Sequence, residues 1–134
     1  MTKKEEKTRK QKLCKKCDKK RSLLVRLRAG NRCEHCGVGV MNAHHIFSRI
    51  NYSTKYDLDN GICLCRGCHT MSSKFSAHKT PLEFALWVIE KRGQEWYDNL
   101  KRKAKGLWDG DYERVERELE EAEKEITALS NIKP

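Results

Sequence analysis

Long apolar runs are missing from this sequence. No stretch approaches the roughly 18 consecutive apolar residues of a membrane-spanning helix. The N-terminus, MTKKEEKTRK, is rich in Lys and Glu where a secretory leader would be apolar. The expectation is a cytoplasmic protein with no membrane partner. Apolar residues are scarce in general: 37% of the 134 residues are hydrophobic and 36% are charged. A core built from so few must be small, and a second source of stability is needed. Acidic residues are also in deficit, with 19 Asp and Glu against 29 Lys and Arg and a net charge of +10. An excess of this size favours a polyanionic partner, nucleic acid above all.

Cysteine, by contrast, is plentiful. Seven thiols in a reducing compartment are poorly explained by disulfides, and an odd count leaves one over, so their spacing points to metal. The charge is polarised along the chain. Residues 1 to 28 hold 13 Lys/Arg against 3 Asp/Glu, whereas residues 109 to 134 hold 4 against 9.

Residues 1–21 contain one large aliphatic, Leu13, and read as a basic arm, mobile in the absence of DNA or metal. Residues 22–108 read as the folded domain. Ser22–Ala29 fits a short helix ended by Gly30. Two short strands are expected around Met41 to Ile46 and Gly61 to Leu64, joined by the polar loop SRINYSTKYDLDN. A helix should follow the second CxxC and run through about Lys74. Thr80-Pro81-Leu82-Glu83 predicts a helix start, with Thr80 as cap, ending near Gly93. A further helix is expected over Gln94 to Lys105, and Gly106 and Gly110 bracket a hinge. The segment 109–134 predicts an acidic helix with Tyr112, Val115, Leu119, Ala122, Ile126 and Leu129 as a heptad-like seam. That seam is expected to pack on its own domain, with a homodimer or another protein partner as the alternative.

Three CxxC pairs, Cys14/Cys17, Cys33/Cys36 and Cys65/Cys68, compete for a closed tetrahedral zinc site that needs two of them. The first two would make an ordinary N-terminal finger. The last two would clamp both ends of a strand-loop-strand hairpin too poor in apolar residues to hold itself, and this choice is preferred. Cys14/Cys17 would then sit free in the arm or bind a second metal with a partner chain, and Cys63 reads as a small buried strand residue.

The run Cys33-x-x-Cys36, Ala43-His44-His45-Ile46, Asp59-Asn60-Gly61 and Leu64-Cys65-x-x-Cys68-His69 resembles HNH endonucleases braced by zinc knuckles. The core of this resemblance covers residues 33 to about 78. The flanking sequence also resembles phage recombination or packaging nucleases, whose setting would be the host cytoplasm. The resemblance implies an α+β fold with a small ββα-metal core braced by a four-cysteine zinc, flanking helices and a charged C-terminal helix.

It further implies metal-dependent hydrolysis of DNA, leaving 5′-phosphate and 3′-hydroxyl ends. His44 and His69 would bind the catalytic ion, His45 would be the general base, and Asn60 would orient it or shape the loop. Adjacent strand residues point to opposite sides, so His44 and His45 can serve different ligands. Mg²⁺ or Mn²⁺ would suit the site, and nitrogen ligands also admit Ni²⁺ or Zn²⁺. Some family members carry another ligand four residues beyond the helix histidine, where this chain has Ser73. His78 could reach the site if that helix ends early, but beside Lys79 it reads as a surface histidine. His35 is expected to face solvent. Arg49, Lys55, Arg66 and Lys74, with Tyr52 and Tyr56, are the candidates for gripping a phosphate backbone. One site per chain implies nicking. A zinc-dependent nucleic-acid-binding module without catalysis is the competing reading.

Overall fold

The computed structural model describes residues 1–39 and 41–132, so residues 133 and 134 of the expected C-terminal helix lie outside the described residues. It is mostly helical with one small two-stranded sheet, compatible with the α+β class. The first element corrects the reading of the N-terminus. Residues expected to be a mobile arm and a separate short helix form one helix, α1, over Lys3–Arg28. Thr2 starts it with a capping box: its hydroxyl accepts from the Glu5 amide, and the Glu5 carboxylate accepts from the Thr2 amide. Gly30, at φ +68°, follows its end in the left-handed conformation.

The reason for the order in α1 lies at the other end of the chain. Helix α5, Tyr112–Ile132, packs along α1. Cys17 and Leu24 are buried with Val115, Leu119 and Ile126, and Leu13 and Leu27 lean on the same cluster. The pairs Arg9–Glu113, Lys16–Glu116 and Lys20–Glu123 flank it, at 2.8, 2.7 and 2.7 Å. Exposed ion pairs contribute about 0–1 kcal/mol each, and a fully buried Leu or Val side chain contributes about 1.5–3 kcal/mol. The apolar seam therefore does most of the holding, and the charges set the partner and direction. The α5 seam is thus occupied by α1 of the same chain.

Strands β1, Met41–His45, and β2, Gly61–Cys65, pair antiparallel with His44 opposite Ile62 and His45 opposite Gly61. All five residues of β2 are buried, because helices cover both of its faces. Ile62 and Leu64 share a core with Phe84 and Val88 of α3, Pro81–Arg92. On the other face Gly61 meets Val25 of α1 so closely that a Cβ there would collide with the valine side chain. Gly61 has φ −112°, so helix approach and not turn geometry requires glycine. Gly61→Ala should lower the midpoint of thermal unfolding by an amount matching about 1–3 kcal/mol of overpacking, readable by circular dichroism. An unchanged midpoint would mean that α1 does not press on the sheet.

The loop between the strands carries a short helix, α2 (Tyr52–Lys55), and a tight turn at Leu58–Asn60. Helix α4, Gln94–Ala104, follows α3 directly and buttresses this loop, with Trp96 Nε1 donating to the Asp59 carbonyl and Asn51 Nδ2 to the Ala104 carbonyl, both at 3.0 Å.

The expected helix after the second CxxC is also corrected. It is a single wide turn, Gly67–Met71, after which the chain reverses instead of continuing to Lys74. Among the described residues no helix is long and apolar enough to cross a membrane.

Candidate metal centres and the adjoining groove

Two clusters of metal-binding side chains stand next to each other. In the first, Cys33, Cys36, Cys65 and Cys68 bring their sulfurs within 4.8 Å of one another, close enough to hold a metal ion. The Cys36 and Cys65 sulfurs are 3.5 Å apart. Four sulfurs at about 2.3 Å from a tetrahedral zinc stand about 3.8 Å from one another, so the donor set is consistent with structural zinc. The backbone prepares the thiolates. The Cys36 amide donates to Cys33 Sγ and the Cys68 amide to Cys65 Sγ, each at 3.4 Å, as two matching turns would do. At Cys33 burial pushes the thiol pKa up, but the amides of Cys36, Cys65 and His35 outweigh it and bring it down to about 7. Burial and the neighbouring sulfurs push Cys68 up.

Cys14 and Cys17 take no part. They lie on α1, where Cys17 is buried against α5 and Cys14 Sγ is 3.3 Å from the Tyr56 hydroxyl. They are neither free in an arm nor placed with other metal-binding groups among the described residues. Cys63 is buried on β2, with its amide donating to Glu34 Oε2 at 2.7 Å. His35 is exposed, yet its ring stacks on Phe75 at 3.7 Å and its Nδ1 lies 3.4 Å from Cys68 Sγ.

The second cluster is His44, His69 and His78, with ring nitrogens within 4.8 Å of one another. β1 delivers His44. The Gly67–Met71 turn, pinned by Cys68, delivers His69 one residue later. His78, expected at the surface, arrives because the chain folds back: the Ala77 amide donates to the Cys68 carbonyl at 2.8 Å and the His78 amide to the His69 carbonyl at 3.0 Å. Thr80 secures this reversal. It precedes α3 but makes no side-chain cap; its hydroxyl turns back to accept from the Ser76 amide at 2.9 Å.

The Nε2 atoms of His69 and His78 stand 3.1 Å apart. Nitrogens at about 2.0–2.1 Å from a tetrahedral ion stand about 3.3–3.4 Å apart, so the residues present fit a metal ion. Burial, then His69 and His78, lower the His44 pKa to about 3, and burial and His78 lower that of His69. Both imidazoles are held neutral, the form that donates a lone pair.

His45 leaves β1 on its own course, with its Nε2 3.2 Å from the Lys55 carbonyl. Burial and then Arg21 lower its pKa to about 4. His44, His45, His69 and His78 nevertheless line one open groove of about 1080 Å³, walled by β1, α1 and the start of α3. Asn60 does not reach the groove. Fully buried, it accepts from the Phe47 amide at 2.6 Å and donates to the carbonyls of Phe47 and Thr54, which ties the strand-to-strand loop shut behind His45.

Among the expected phosphate-gripping residues, Arg49 and Lys55 line the groove, whereas Arg66 and Lys74 are exposed but are not part of its wall. Lys55 pairs with Asp18 at 3.4 Å and lies over the rings of Tyr52 and Tyr56. Sequence reasoning missed Asp18, Arg21 and Ser22, which form the groove wall contributed by α1. Nothing breaks a helix between Lys3 and Arg28, and Leu13, Cys17 and Leu24 share a face, but the residues that this face packs against come largely from α5. No known protein family matches the sequence, and no curated protein and no solved structure is significantly similar to it.

Proposed function

We propose that this chain is a metal-dependent DNA endonuclease of the HNH type, nicking one strand per active site. The observation that carries this reading is the groove itself: three imidazoles converge at a metal-sized spacing, and His45 opens onto the same space from the same strand. A purely structural zinc module has no use for the second cluster. A divalent ion held by His44, His69 and His78 would supply positive charge against the scissile phosphate and its leaving oxygen.

The remaining steps belong to side chains. His45 Nε2–H donates to the Lys55 carbonyl, which fixes the tautomer and leaves the Nδ1 lone pair to take a proton from the attacking water. Burial and Arg21 keep that ring neutral at pH 7, and the negative charge of a bound phosphate raises its basicity again. Asn60 holds the loop on which the Lys55 carbonyl rides. Arg49 and Lys55 hold the backbone of the substrate, giving affinity without base readout. Cys33, Cys36, Cys65 and Cys68 would hold a structural zinc ion, which would fix the turn that carries His69. Three imidazole donors favour Ni²⁺ or Zn²⁺ over Mg²⁺.

Supercoiled plasmid incubated with zinc-loaded protein tests the proposal. Added Mn²⁺ or Ni²⁺ should convert it to the relaxed circle. No relaxation with any divalent ion, together with retained salt-sensitive DNA binding, would replace the nuclease by a non-catalytic zinc-dependent binding module.

A further inference from the structure

The basic side chains of helix α1 are not equivalent. Arg9, Lys16 and Lys20 are spent on the acidic side chains of α5. On the opposite face Lys4, Lys7, Gln11 and Lys15 follow one another at steps of three and four residues, and the same stripe continues through Asp18 and Ser22 into the groove wall. Lys4, Lys7 and Lys15 are exposed and have no acidic partner among the described residues. The sheet-bound end of the stripe is Val25, packed at Gly61, so the lysine-bearing part overhangs the sheet.

Beside the stripe, at the groove, Arg21 is 2% exposed and donates to the Asn60 carbonyl, while its Nε has no hydrogen-bond partner among the described residues. A row of unneutralised cations that leads into a groove ending in a buried guanidinium is complementary to one kind of ligand, an extended polyanion.

We propose that this face of α1 is a duplex-holding rail, which binds the phosphate backbone of DNA on one side of the cleavage site. At a rise of about 1.5 Å per residue, the 14 residues from Asp18 back to Lys4 reach about 21 Å beyond the groove. That is the length of about six base pairs at 3.4 Å each. The protein therefore holds duplex asymmetrically, on the α1 side of the nick. The inference rests on the nucleic-acid part of the proposed function and does not require turnover.

The test compares two triple variants that remove the same charge. One is Lys4→Gln, Lys7→Gln, Lys15→Gln on the rail; the other is Arg9→Gln, Lys16→Gln, Lys20→Gln on the α5 side. Each is zinc-loaded, checked by circular dichroism, and titrated by fluorescence anisotropy against a 30-base-pair duplex over a series of salt concentrations, with no other divalent ion added. The rail variant should reduce the slope of log K against log salt by about 2 to 3, near 0.9 per lost phosphate contact, and the α5-side variant should leave it unchanged. Equal slopes for wild type and rail variant would overturn the rail, even if the wild type nicks plasmid. A wild type that binds duplex through the rail but never nicks would leave the rail standing and remove the nuclease. A wild type that binds no duplex would remove both.

Discussion

Replacing Cys65 by serine should abolish the cooperative thermal transition of the whole sheet and its neighbours. Cys65 closes β2, accepts the Cys68 amide and stands 3.5 Å from Cys36 Sγ, so it belongs at once to the strand, the turn and the thiolate cluster. Structural zinc contributes about 10–16 kcal/mol to the folding of small domains, as much as or more than the roughly 5–15 kcal/mol that a folded domain has in total. The loss should extend to the histidine cluster, because Cys68 precedes His69 directly and the Cys68 and His69 carbonyls anchor the segment that returns His78. Cys14→Ser is the matched control. Its thiol touches the Tyr56 hydroxyl, a partner that a serine can also bond, and the change should cost within about 1 kcal/mol. Circular dichroism melts and zinc content measured side by side decide the matter. A Cys65→Ser protein that melts like wild type would show that the four thiols are not what holds the sheet.

His45→Ala should leave the melting temperature and the metal content where they are and slow nicking by about 100- to 10,000-fold. Its ring bonds a backbone carbonyl and stays out of the three-imidazole cluster, so on the proposed mechanism its removal takes away a base without removing a ligand. His44→Ala separates the two roles. It should abolish binding of the second metal ion and, with it, the dependence of nicking on added Mn²⁺. Single-turnover rates on a labelled duplex, with metal stoichiometry measured on the same preparations, give both numbers. A His45→Ala protein of full activity would move the general base elsewhere; equal metal loss in both variants would make His45 a ligand.

The four-cysteine grouping was legible in the sequence because two CxxC turns at the ends of a short hairpin clamp strands too poor in apolar residues to hold themselves, a reason that spacing alone did not supply for choosing among three pairs. The fate of Cys14 and Cys17 was less legible. As thiols they suggest a ligand pair, but on α1 they serve as small apolar surface, a role visible only once α5 is in place. The same holds for the N-terminal residues. Leu13 alone could not have announced an ordered helix, since the cluster it joins is completed by Val115, Leu119 and Ile126 at the far end of the chain. His78 was named only as an alternative that required an early helix end, and the surface reading was preferred for a local reason. Its position depends on Thr80 turning its hydroxyl toward Ser76 and away from the helix it precedes, a choice that the Thr-Pro start signal does not reveal.

The pairing of α1 with α5 also sets an order of events in synthesis. α1 leaves the ribosome well before α5, with its apolar seam bare, while Glu113, the partner of Arg9, follows 104 residues later. Contacts so distant in sequence form slowly, and until they do the nascent chain carries an exposed seam of the kind that chaperones cover and aggregates recruit. Until Tyr112 and the residues after it emerge, the chain presents a sticky polycation, and α5 is the helix that ends that vulnerability.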